Sequence, residues 1–402
     1  IDYIAGTSIG SYVGGMYALG YSADEIEKSM LNINWALSYS DFIPREQLQY
    51  EDKVLRDEYN ITVRMGYSDG EIKLPSGLLL GQTALQLLKS STDVIGMFSH
   101  FDELAIPYRA VATDLATSKP VVLSHGSISR AMKASASVPG ALEPIEIDGK
   151  LLVDGGISNN MPIDVVKAMG ADIVIAVDIG SPLLTKQEIN STVAVLNQLS
   201  TVLTVNTTKR QKKLLTKKDI ILRPAIDELG TGDFSIMPIA LTLGMKVANE
   251  HIDQLRELSL SVEEYQQHID LKKERSSKWF SRLTKPVTTI RFDNKSQVNN
   301  NIIEEHFDIS VGDIVTKEVL AAAINRVYAL DSFDFVDAEF EDVVGTTGRT
   351  LILTTKAKSW GPNYLHYGFS WQGDVVGNSI ISLDVGYLLT EITENGGQWL
   401  NE

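Results

Sequence analysis

A serine held between two glycines, Gly6-Thr7-Ser8-Ile9-Gly10, fits the pattern G-x-S-x-G and follows the apolar run Ile1-Asp2-Tyr3-Ile4-Ala5. A strand that stops at Gly6, with a helix beginning at once, would put Ser8 on a sharp turn with its hydroxyl exposed at the helix N-terminus. There the helix dipole favours developing negative charge, and the Ile9 backbone N–H is a candidate oxyanion donor. Glycine is expected at both flanks, Gly6 and Gly10, because a side chain at either would collide with the neighbouring strand or helix. The chemistry this allows is nucleophilic attack by a hydroxyl. Serine is a weak nucleophile near neutral pH, however, and needs a base.

None of the six histidines sits in a recognisable local setting. His100 and His125 precede Asp154, whereas His251, His268, His306 and His366 fall in later, accessory stretches. A carboxylate is the better candidate. Leu151-Leu152-Val153-Asp154-Gly155-Gly156 puts Asp154 at the end of an apolar strand, and Gly155 and Gly156 let backbone approach closely. Asn160 and Pro162 then set the start of the next helix. Taken alone, the Asp-Gly pair reads as readily as a β-turn. Two other classes stay open: a conventional Ser–His–Asp esterase using His251, and a non-catalytic module that binds partners by strand addition.

Several of these stretches occur together and in order. Gly6-Thr7-Ser8-Ile9-Gly10, Ala134-Ser135-Ala136-Ser137-Val138-Pro139-Gly140, Asp154-Gly155-Gly156 with Asn160 and Pro162, and Gly170-Ala171-Asp172 resemble a patatin-like phospholipase over roughly residues 1–260. The resemblance implies hydrolysis of an acyl ester in a phospholipid or other lipid, with Ser8 as nucleophile and Asp154 as its partner in a dyad without histidine. Gly6, Gly10, Gly155, Gly156 and Asn160 would support that pair. The resemblance implies no metal and no organic cofactor. The family's Gly-rich oxyanion loop precedes the G-x-S-x-G strand, and this sequence begins inside that strand. The chain as written is therefore expected to be a piece of a longer protein, and inactive by itself, since losing even one oxyanion donor costs about 10²–10³ in turnover.

The elements around the motifs change character along the chain. Residues 1–180 alternate apolar runs with helical patterns, as in a mostly parallel sheet flanked by helices. Ser22 with Glu25 reads as a capping box. Strands are expected at 108–112, 120–123 and 172–177, the last central because it is apolar on both faces. Helix is expected through Val193, Leu196, Leu199 and Leu203 into the basic segment Lys209-Arg210-Gln211-Lys212-Lys213. A strand at 220–222, a Gly-rich loop and an amphipathic helix over 238–258 follow. The domains are then 1–260, a hydrolase; 261–285, an exposed helical linker around Lys272; 286–358; and 361–402.

Residues 286–358 order as β-α-α-β-β, with a turn at 345–348, which resembles a POTRA module. In 361–402, Leu365, Tyr367, Phe369 and Trp371 alternate with His366, Gly368, Ser370 and Gln372, and a second alternating run follows a turn at 373–378. Apolar-out, polar-in alternation over about ten residues marks a transmembrane β-barrel strand. The expected fold is thus α/β, patatin-type, followed by a small α+β POTRA-like module and incipient antiparallel β-barrel strands. The implied place is the outer membrane of a Gram-negative bacterium, with the hydrolase surface-exposed or secreted and the POTRA-like module periplasmic, open to a strand-addition partner.

Composition bounds these readings. In 402 residues, 44% are hydrophobic and 22% charged, which excludes wholesale disorder. Lys plus Arg total 36 against 52 Asp plus Glu, a net charge of −16. That argues against nucleic acid as a partner, though not against a local basic patch. There are no cysteines, so disulfides, thiolate metal sites and a cysteine nucleophile are excluded. No apolar run reaches the roughly 18 residues of a spanning helix.

Overall fold

A computed structural model describes the chain apart from residues 39–40, 42–44, 49, 51–52, 55–56, 58–60, 69, 75–76, 78, 93–94, 181, 227–233, 343–347, 374–378, 390–396, 398 and 402. Contacts divide it into two compact units, Ile1–Ser40 with Thr83–Arg282, and Asp41–Gln82 with Leu283–Glu402.

In the first unit the strand before the serine spans Ile4–Thr7, running through Gly6 instead of stopping there. The helix Ile9–Leu19 follows. Gly20 ends it at φ 117°, a left-handed conformation from which its N–H donates back into the last turn. Ser22 and Glu25 form the capping box on Ala23–Asn32. Ile4–Thr7 pairs in parallel with Tyr108–Asp114, a strand buried along almost its whole length. Lys119–Leu123 and Lys150–Asp154 both pair antiparallel to Tyr108–Asp114, and Ile145–Ile147 pairs antiparallel to Lys150–Asp154. The sheet is therefore mixed, not mostly parallel. Its connections are the cause: Asp148 and Gly149 both hold positive φ, 51° and 70°, the geometry of a tight hairpin that can only join antiparallel neighbours.

The run 172–177, expected at the centre of that sheet, instead forms a parallel pair of its own, Ile175–Val177 with Ile220–Leu222. Ile173, Ile175 and Val177 remain exposed. Apolar composition on both faces does not specify which strand lies alongside. The helix expected over 238–258 breaks at His251 into Met237–Glu250 and Ile252–Arg256. The expected linker is helical, Val262–Phe280, but it is packed into the first unit and not exposed throughout. Lys272, Ser276 and Trp279 are buried, Lys272 Nζ lies 3.5 Å from the Tyr17 ring centroid, and Trp279 Nε1 donates to the Glu103 carbonyl. Long apolar stems let charged residues of this kind cover a surface. The unit consequently extends to Arg282.

The second unit holds the expected β-α-α-β-β order: Val287–Lys295, Asn300–Phe307, Lys317–Tyr328, Phe333–Asp342 and Arg349–Ala357. The last strand lies in the middle, parallel to the first and antiparallel to Phe333–Asp342. Thr316 caps its helix through the side chain, which accepts from Val319 N–H. The turn expected at 345–348 lies, except for Gly348, outside the described residues. Asn363–Gly373 and Ser379–Leu389 pair as an antiparallel hairpin, and its turn also lies outside them.

Among the described residues this hairpin belongs to an open five-stranded sheet and not to a closed barrel. Two of the five strands, Ile61–Ser68 and Glu71–Lys73, come from a stretch assigned above to the hydrolase domain. Ile61, Val63 and Met65 pair with Phe369, Tyr367 and Leu365. The alternation Ile61-Thr62-Val63-Arg64-Met65-Gly66-Tyr67 carries the period-2 signal of a strand. What it cannot carry is the identity of a partner some 300 residues away.

Candidate active site

Ser8 sits where Ile4–Thr7 gives way to Ile9–Leu19, with φ 54° and ψ −127°. Backbone so placed costs a non-glycine residue about 1–3 kcal/mol and persists only where its surroundings hold it. Two contacts supply the restraint. Ser8 N–H donates to the Ser135 hydroxyl at 2.9 Å, and that hydroxyl donates onward to the Val111 carbonyl at 2.6 Å. On the other side the Ser8 carbonyl accepts from Ser11 Oγ at 2.6 Å. The flanking glycines divide. A Cβ at Gly6 would overlap the Gly10 carbonyl, whereas a Cβ at Gly10 would meet nothing within 4 Å. The collision expected at both flanks therefore holds at Gly6 and fails at Gly10, which faces open space on the first helical turn.

Asp154 ends the strand Lys150–Asp154 and is 8% exposed. The Ser8 side chain is close enough to favour the ionised Asp154 carboxylate, and Gly156 N–H donates to Oδ1 at 2.6 Å. Burial pushes the Asp154 pKa up to about 6, an effect that the Gly156 N–H and then the Ser8 side chain only partly offset. Its backbone is fixed as well: the N–H donates to the Ser137 carbonyl at 2.8 Å and the carbonyl accepts from Thr113 Oγ1 at 2.9 Å. Gly155 allows this close packing, since a Cβ there would overlap the Val111 carbonyl. Asn160 closes the short helix Gly156–Asn159, and its Oδ1 lies 3.1 Å from where a Gly156 Cβ would stand. Pro162 precedes Ile163–Ala168.

A hydroxyl set beside a carboxylate that ionises near neutrality can pass its proton to it. Ile9 opens the helix, so its N–H has no acceptor one turn back. Among the described histidine rings, His251 Nδ1 lies 3.0 Å from the Val247 carbonyl, and His100 and His125 pair with Asp102 and Asp148. No hydrogen bond or ion pair among the described residues joins a histidine ring to Ser8 or Asp154. Among the described residues no group of three or more His, Asp or Glu could hold a metal ion.

Sequence alone assigns neither Ser135 nor Thr113 a role of its own. Ser135 lies in the Ala-Ser-Ala-Ser stretch that contributes to the family resemblance, and nothing in that stretch says which serine reaches the turn at Ser8. Thr113 carries no sequence signal, because it meets Asp154 only across paired strands.

The α/β fold thus sets a strained serine against a buried aspartate. Residues 1–167, which include both side chains, match the family model described as patatin-like phospholipase. An uncharacterized NTE family protein of Mycobacterium tuberculosis is 32% identical over 176 residues, 44% of this chain and 40% of that protein. Patatin-like phospholipase domain-containing protein 7 of Mus musculus is 29% identical over 264 residues, 58% of this chain and 17% of that protein. Patatin-like phospholipase domain-containing protein 6 of Homo sapiens is 31% identical over 183 residues, covering 45% and 11%. Residues 1–167 thus form a patatin-like phospholipase domain, a family that suggests lipid ester hydrolysis. The chain spans 40% of the mycobacterial relative's length and less of the two mammalian proteins.

Proposed function

We propose that the protein hydrolyses the acyl ester of a phospholipid or related lipid through Ser8 and Asp154. The observation that carries this reading is the strained turn that sets the Ser8 side chain against Asp154, a buried carboxylate whose pKa burial raises to about 6. Ser8 Oγ attacks the ester carbonyl as its proton passes to Asp154, and the Ile9 N–H faces the charge that develops on the oxygen. The tetrahedral intermediate collapses with cleavage of the carbonyl–oxygen bond, and Asp154 returns the proton to the departing alcohol. Water then attacks the acyl-serine, giving its proton to Asp154. The fatty acid leaves and the proton goes back to Ser8. A fluorophosphonate probe should label the full-length protein at Ser8, as read by peptide mass spectrometry. Labelling elsewhere with Ser8 untouched would remove the assignment.

A second reading, favoured by the exposed face of the hairpin, concerns where the hydrolase works. Trp371 is 62% and Leu383 73% exposed while Ser370, between two exposed aromatics, is buried at 4%. A soluble sheet normally shows the reverse. We propose that this hairpin contributes to an outer-membrane barrel in a Gram-negative bacterium. The β-α-α-β-β module would then be a periplasmic POTRA-like domain, open to strand addition, that leads to the barrel. Cysteine at 369, 371 or 383 should react with a lipid-soluble maleimide and resist a water-soluble one, and cysteine at 370 should not react with the lipid-soluble reagent. Equal aqueous labelling at all four positions would mean a soluble hairpin.

A further inference from the structure

The helix Thr192–Lys212 has two faces of opposite use. Its inner face covers the Asp154 turn, where Thr207 Oγ1 donates to the Gly156 carbonyl at 3.3 Å. Its outer face should be polar, as on any solvated helix. Instead Leu196, Leu199 and Leu203 form an i, i+3, i+7 stripe, with Leu199 57% exposed. Seven residues beyond Leu203 the same stripe reaches Arg210.

The charge there runs against the rest of the molecule. Residues 205–218 hold six basic residues and no acidic one, in a chain of net charge −16. Lys212 is tied to Asp178 at 2.5 Å, and nearby Lys167 to Asp219 at 3.0 Å. Both aspartate side chains are almost wholly buried. Lys209, Arg210, Lys213, Lys217 and Lys218 are exposed, and no ion pair holds them among the described residues. An apolar stripe beside uncompensated cations matches the two layers of one partner: hydrocarbon below, anionic headgroups above. A nucleic acid would pair with the cations but leave the leucines unburied.

We infer that the outer face of Thr192–Lys212, with the basic turn that follows, docks this unit on an anionic phospholipid bilayer. Leu196 lies beside Gly140, whose loop begins at the Ser137 carbonyl bound by Asp154 N–H, so docking would bring the membrane to the rim of the site. The inference does not depend on Ser8 being a nucleophile.

Flotation of the Ser8→Ala full-length protein with vesicles tests it without consuming the lipid. Neutral phosphatidylcholine vesicles report the contribution of the hairpin, and vesicles mixed with phosphatidylglycerol add that of the helix. Anionic vesicles should bind at least ten-fold more strongly, the excess shrinking as salt shortens the reach of the charges. Lys209→Glu, Arg210→Glu and Lys213→Glu together should abolish the excess, since each basic residue near an anionic surface adds roughly five-fold. Lys217→Glu with Lys218→Glu, outside the helix, should lower it if the triple variant misfolds by circular dichroism. Leu196→Ser, Leu199→Ser and Leu203→Ser should weaken the binding that persists at high salt. Anionic binding within two-fold of the parent in the charge variants would overturn the inference. So would equal retention on single-stranded RNA, or a leucine variant that only dissociates a dimer.

Discussion

Replacing Asp154 by Asn is expected to lower ester hydrolysis by about 10²–10⁴ while making the folded protein more stable. The variant keeps an oxygen for the Gly156 N–H but cannot accept the Ser8 proton. The gain in stability comes from the same burial that raises the Asp154 pKa. The folded pKa of about 6 lies above the ordinary 3.8, so the folded state binds the proton more tightly than the unfolded chain. This stabilising contribution is complete below pH 3.8, declines as pH rises, and is gone above about 6. At neutral pH the buried carboxylate therefore costs up to about 3 kcal/mol relative to an uncharged group. Melting curves should show Asp154→Asn more stable than the parent at pH 7.5, the difference closing between pH 6 and 4. The parent's kcat/KM should fall ten-fold per pH unit below about 6. An active variant, or one less stable than the parent at pH 7.5, would remove Asp154 as the base.

The second large effect is steric. Gly6→Ala should destabilise the first unit by about 3 kcal/mol or more and abolish fluorophosphonate labelling, because the added Cβ overlaps the Gly10 carbonyl. Backbone blocks the Cβ there, so no side-chain rotation relieves it. Gly10→Ala should instead leave the melting temperature unchanged or slightly raised. Nothing lies within 4 Å of its Cβ, and alanine is the better helix former by up to about 1 kcal/mol. Denaturant unfolding of the two variants decides the point. Equal destabilisation would mean that the elbow is packed differently from the structure described.

Legibility from sequence followed the range of the interaction. Gly6-Thr7-Ser8-Ile9-Gly10 after an apolar run located the turn at Ser8, and Ser22 with Glu25 located a helix start, because those signals lie within a few residues of what they control. The β-α-α-β-β order was legible from period changes alone. The sequence also placed Ser8 and Asp154 as candidates, 146 positions apart in the numbering, through motif resemblance and not through any physical rule of spacing.

Tertiary structure decided everything that depends on who lies beside whom. Hydrophobic pattern says that a strand is buried, not which strand it meets. The run 172–177 therefore paired with 220–222 in place of joining the main sheet, and 61–73 joined a hairpin from the far end of the chain. Only packing could show that Lys272 rests on Tyr17, or that Gly10 has space which Gly6 lacks. The working chemistry belongs to the same class. An aspartate at the end of an apolar strand is ordinary in sequence, and its carboxyl ionises near neutrality because folding removes it from water.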